Sequence, residues 1–276
     1  VADRIEGAAL RPTVTAYRAL LGAQVRAQTQ YRFSFWLDAV ASSVISLLDI
    51  VAVLVLFRAT PALSGFSVRQ CLVIAALGNV AFSLADASVG NIDTMRQYIR
   101  TGRLDAMLLR PLGVLPQLVF GDFAPRRLGR VLQSCVVLVV TLVLVHPQWT
   151  VGRAVLVVVA PIAGAVIFSS VFVAGSTVAF WFVESGEFAN AFTYGGRDFT
   201  LYPVSIYPGW FRGIFAYGLG FAFVAYYPAL ALLGLPDPLG APPALAWCSP
   251  LVAVPAVAVA ALIWRTGVRH YRSTGS

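Results

Sequence analysis

The 276-residue chain is 59% hydrophobic and only 12% charged, well below the roughly 25% charged residues of a soluble domain, which excludes an ordinary soluble enzyme and points to a polytopic membrane protein. Its formal net charge of +8 would suit nucleic acid, but the basic residues sit mostly between apolar spans, so they read as topology signals and no nucleic-acid partner is expected. All 20 basic residues are arginine; without lysine the chain cannot carry an ordinary P-loop, so any ATP that drives it is hydrolysed on another subunit.

Residues 1–32 hold five arginines and no apolar run of signal-peptide length, so no cleaved leader is expected. From Pro12 the pattern turns amphipathic, with Val14, Tyr17, Leu20 and Leu21 on one arc and Arg11, Arg18 and Arg26 on another. That fits a helix lying in the membrane surface, or a soluble capping helix. The first span is expected near Phe33–Phe57 and carries Asp38 and Asp49, with Ser42 and Ser46 on nearly the same side. Carboxylates inside a span face protein or water. Asp38 reads as interfacial and Asp49, deeper, as a pathway or structural residue.

A Pro61–Gly65 loop leads to a second span, Arg69–Asn91, whose Asn79, Ser83 and Asp86 recur at helical spacing and are expected to line a helix contact or a pathway. The stretch YIRTGRLDAMLLRPL, residues 98–112, follows with Arg100, Arg103, Asp105 and Arg110. Gly102 and Pro111 isolate about two helical turns. Leu104, Met107 and Leu108 form an apolar ridge on it. It reads as a docking element or as a basic topology loop.

An apolar lead-in, Val114–Phe123, precedes Asp122, Arg126, Arg127 and Arg130 and the third span, Leu128–Val145, with Asp122 expected to pair with Arg126 or a neighbouring subunit. The fourth span, Val151–Val183, is too long for a straight crossing. Pro161 and Gly164 are candidate kink positions, and Gly175 and Ser176 positions of close packing. Residues 184–200 read as a polar inner connection with aromatics able to lie on the surface. Two Tyr-Pro pairs lead into a fifth span, Gly209–Tyr227; Tyr227-Pro228 then marks the end of that helix or a re-entrant hairpin running through PDPLGAPP to the sixth span, Leu245–Trp264. A basic tail closes the chain.

With both ends inside, inner segments hold 17 arginines and outer segments only Arg58, Arg69 and Arg153, as the positive-inside rule requires. Six spans, N-in and C-in, follow. Cys71, Cys135 and Cys248, and likewise His146 and His270, are too scattered for a disulfide framework or metal site.

GRLDAMLLRPL, residues 102–112, and LYPVSIYPGWFRGIFAYGLGFAFVAYYPALALLG, residues 201–234, resemble recurrent features of type 2 ABC exporter permeases, the ABC-2 membrane family, in its daunorubicin-resistance-like or uncharacterised paired branch. The resemblance extends over essentially the whole chain. It implies a single exporter transmembrane domain, with residues 1–32 cytoplasmic or interfacial, 33–264 the six-span bundle and 265–276 a cytoplasmic tail. It further implies an outer re-entrant hairpin after the fifth span, and a cytoplasmic coupling helix whose matching positions are Gly102, Leu104, Asp105, Leu108, Leu109, Arg110 and Pro111. The partners implied are two ABC ATPase subunits, which bind the ATP and Mg that this chain does not, and a second, related but non-identical permease within the lipid bilayer. Asp49, Asn79, Phe82, Asp86, Tyr217 and Tyr226 are the expected transport-path residues. The competing readings are a proton-coupled transporter relaying protons through Asp49 or Asp86, and a non-transporting scaffold or sensor.

Overall fold

The computed structural model describes residues 40–41, 44, 48, 51–58, 62–110, 113–121, 126–182 and 186–271. The expected N-terminal amphipathic helix, Asp38, Asp49, Pro111 and Asp122 fall outside these residues, as does most of the first span. Its described positions are helical, and Val53 is buried in the main core. Residues 51–58 are called α1. Apart from an isolated bridge between Leu63 and Phe66, the described structure is helical.

Four described helices are long and apolar enough to cross a membrane: Val68–Arg100, Arg127–Val145, Val151–Phe180 and Ser249–His270. A fifth crossing is available if the pair Gly209–Gly218 and Phe221–Leu233, bent by 65°, counts as one. Helix α2, Val68–Val89, is central and packs on α6, Arg126–Val145, and α7, Val151–Thr177. Small residues along α2, among them Ala76, Ala81 and Ala85, are fully or almost fully buried. They let neighbouring backbones approach, which is how helices gain contact where lipid is as apolar as the interface. Helices α6 and α11, Ser249–His270, bury little of their apolar windows and form the flanks.

One local expectation about close packing is revised. Ser176 is buried as expected, but Gly175 beside it lines a cavity rather than a tight contact. The close approach of α7 and α11 is instead at Gly267, where an added Cβ would collide with the Thr177 and Phe180 side chains.

The larger revision concerns residues 186–200, expected as a connection: Gly186–Thr200 folds as helix α8, one side of which enters the bundle while Tyr194 remains exposed. Its buried side, Thr193, Gly196, Phe199 and Thr200, repeats at helical spacing. Thr200 ends against Gly78 in the middle of α2, where an added Cβ would lie 2.8 Å from the threonine hydroxyl. The chain then reverses. Phe199 stacks on Tyr207 at 4.3 Å and lies 5.9 Å from Phe211, while Phe192 stacks on Phe215 at 5.8 Å, a pairing that runs antiparallel. The returning segment comprises α9, Gly209–Arg212, and a π-helical turn, Gly213–Gly218.

The break expected at Pro228 falls earlier, at Gly220, whose φ of 78° lies in the left-handed region that glycine enters without strain. Pro228 sits in the first turn of α10, Tyr226–Leu233. Proline is tolerated there because first-turn N–H groups have no helical partner. Asp237 in the following loop accepts hydrogen bonds from the Tyr226 hydroxyl at 2.6 Å and from the Leu239 and Ala241 amides at 3.1 and 3.3 Å.

Candidate functional site

At the arginine-rich end, α2 runs on through a 3₁₀ turn, Gly90–Thr94, into α3, Met95–Arg100. Gly102, at φ 66°, turns the chain into α4, Arg103–Leu108. This left-handed position is costly for a residue with a Cβ. Helix α5, Val114–Gly121, folds back so that the Gln117 amide donates to the Met107 carbonyl at 3.0 Å. Together these pieces enclose a second, smaller core of Met95, Ile99, Leu104, Leu118 and Ala179, with Phe180, Trp264 and Tyr271 packed against it. The short helix is therefore seated on the ends of α7 and α11.

A polar tie reinforces the seat. The Tyr271 hydroxyl donates to Asp105 at 3.0 Å, and its ring packs edge-on against Phe180. Burial, together with the hydrogen bond it donates to the Asp105 carboxylate, raises the Tyr271 pKa to about 12. Asp105 thus faces the bundle. The ridge expected from Leu104, Met107 and Leu108 is split: Leu104 is fully buried and Met107 packs beside it, but Leu108 is 42% and Leu109 87% exposed. The inward direction lies between residues 104 and 107, and at ~100° per residue position 108 is rotated about 70° from it. Leu108, Leu109 and the exposed Arg110 therefore form an outward tip on a rigid base.

The described path candidates do not converge on one cavity. Asp86 is buried, bonded to Arg130 at 2.7 Å and lying 3.8 Å from Arg127. Ser83 shares a 2.7 Å hydrogen bond with Ser134. The polar stripe of α2 thus faces α6 at these two positions. Asn79 lines a small cavity with Val53, Thr141 and Leu201. Phe82 packs edge-on to Phe168 at 5.4 Å and to Tyr194 at 5.7 Å, with the Arg197 guanidinium 5.8 Å from its centroid. Tyr217 lines an apolar cavity of about 450 Å³ between α7, α11 and the Gly220 bend, and its hydroxyl lies 3.4 Å from that of Tyr227. Tyr226 is buried beneath the opposite-end loop.

A family profile described as ABC-2 family transporter protein matches residues 43–275. The chain belongs to the ABC-2 transporter family. It is therefore a multi-pass membrane permease of an ABC transporter, in a family without an ATPase domain of its own, whose members work with separate ATPase subunits. No curated protein and no solved structure matches the chain.

Reading the sequence did not find several residues that shape this ABC-2 permease. Trp264 and Tyr271 are seven apart, two turns along one face, and that spacing was the available signal for the α11 seat. Arg127 and Arg130 were read only as topology charges, yet they hold Asp86. Asp237 and Arg153 gave no local signal, since their partners are remote or backbone groups.

Proposed function

We propose that this permease is half of an ATP-driven exporter in the bacterial plasma membrane, in the daunorubicin-resistance-like or uncharacterised paired branch, moving an amphipathic drug, secondary metabolite or lipid outward. The observation that carries the reading is the apolar tip Leu108–Leu109 with Arg110, exposed on a helix whose base is fixed to both α7 and α11. An unpartnered apolar tip on a rigid seat suits docking into a groove of another protein. Gly102, Leu104 and Asp105 serve that tip by turning and seating its helix, and Pro111 joins them on its match to the family's loop.

In this reading the arginine-rich end is cytoplasmic, six spans run N-in and C-in, and a second, non-identical permease completes the path. Two ABC ATPases carry ATP and Mg. Their closure pushes α4, and through the Asp105–Tyr271 contact the push reaches α11 and α7. Asp49, Asn79, Phe82, Asp86, Tyr217 and Tyr226 line the path once the helices separate, exchanging present partners such as Arg130 and Asp237 for substrate or water. The test is gentle purification from native membranes, mass spectrometry of stoichiometric partners and a vanadate-sensitive ATPase assay. An ATP-binding subunit and a second permease should accompany the chain. Isolation alone, with transport driven by a proton gradient instead of ATP, would overturn the reading.

A further inference from the structure

At the end opposite the coupling tip, the starts of α2 and α7, the end of α6 and the end of α10 enclose a polar cavity of about 440 Å³, within the ~300–1,000 Å³ typical of ligand sites. Its walls carry Arg69, Arg153, His146, Gln70, Gln148 and Ser67, and no carboxylate lines it among the described residues. Among the described residues Arg153 donates to backbone carbonyls, from Nε to Ala231 at 3.0 Å and from NH1 to Gln148 at 2.7 Å. Neutral carbonyls orient a guanidinium without cancelling its charge. Arg69 is exposed beside it on the first turn of α2.

The positive-inside count leaves only three arginines on this side of the membrane, and two of them meet in this one cavity. Because topology selects against arginine there, their convergence calls for a local role. Guanidinium forks match the several acceptor oxygens of a phosphate. Four helices begin or end at this level, so the cavity lies at headgroup depth.

We infer that this cavity binds a phosphate group, with Arg69 and Arg153 as its cationic walls. The inference rests on the outward placement of this end but not on ATPase coupling. The shared chemistry admits two sources, the headgroup of an anionic lipid or a free phosphate.

Native mass spectrometry of the intact transporter, titrated with phosphatidylglycerol and with diacylglycerol as the phosphate-free control, tests it. The wild type should prefer phosphatidylglycerol by about tenfold, and Arg69→Gln should lose most of that preference while Arg69→Lys, which keeps charge without the fork, retains part of it. Arg153 stays intact because it also fastens α10. Displacement of the lipid by inorganic phosphate identifies a free phosphate as ligand; persistence identifies the headgroup. Equal retention of the two lipids by the wild type, or an undiminished preference in Arg69→Gln, overturns the inference. Because the readout is lipid retention, failure of ATPase coupling would leave it unchanged.

Discussion

The two ends of the bundle are finished in opposite ways. At the opposite end, polar side chains close the structure on itself: Asp237 gathers two backbone amides and the Tyr226 hydroxyl, and Arg153 binds two backbone carbonyls. At the arginine-rich end a buried core and the Asp105–Tyr271 contact hold up a tip whose apolar side chains, Leu108 and above all Leu109, stay exposed. Backbone groups near a membrane must find partners, so the first arrangement needs no other protein. The second arrangement leaves Leu109 exposed at the end of an otherwise seated helix, as the proposed docking of an ATPase requires.

Substitutions at the two ends should separate folding from coupling. Leu104→Ala removes a fully buried side chain from the small core and should destabilise by about 3 kcal/mol. Its melting temperature should fall and partner binding weaken with it. Asp237→Ala strips the acceptor from one hydroxyl and two amides and should cost about 2 kcal/mol, yet ATPase co-purification should persist. Loss of the ATPase in that variant would mean that the two ends are not independent.

Tyr271→Phe removes one hydrogen bond and should cost about 1 kcal/mol. The ATPase should remain bound while ATP-driven transport falls several-fold, because the link from α4 to α11 is cut. The raised tyrosine pKa favours the neutral phenol. Stability from this contact is therefore complete below the ordinary value of about 10 and is lost as pH rises through about 12. Transport across the neutral range should not titrate through it. The smallest stability change belongs to Leu109→Ser, within about 0.5 kcal/mol, with loss of the ATPase as its only large consequence.

Segments governed by local chemistry were legible in the sequence. The third span was expected from Leu128 and the helix begins at Arg126; both end at Val145. Gly102 was read as the break before a short helix and takes the left-handed turn that starts α4. What escaped depends on register between distant elements. Asp86 finds Arg127 and Arg130 only because α2 and α6 align at that height. Helix α8 is polar on average and so does not stand out as an apolar run, although its residues are strongly sided and one side, with Thr193, Gly196 and Phe199, enters the bundle. The bend at Gly220 was hidden by the more conspicuous Tyr227-Pro228, whose proline the start of α10 absorbs. For the coupling stretch, periodicity pointed to a ridge but could not say that Leu108 would leave it, because that depends on where the six-residue helix seats.

The most direct test places a photo-crosslinking amino acid at position 109 in native membranes, with the same group at the exposed Leu239 of the opposite end as control. Position 109 should crosslink to an ATP-binding subunit and position 239 should not. A position 109 that captures only lipid or other copies of the permease, while the assembled transporter still hydrolyses ATP, would contradict the account.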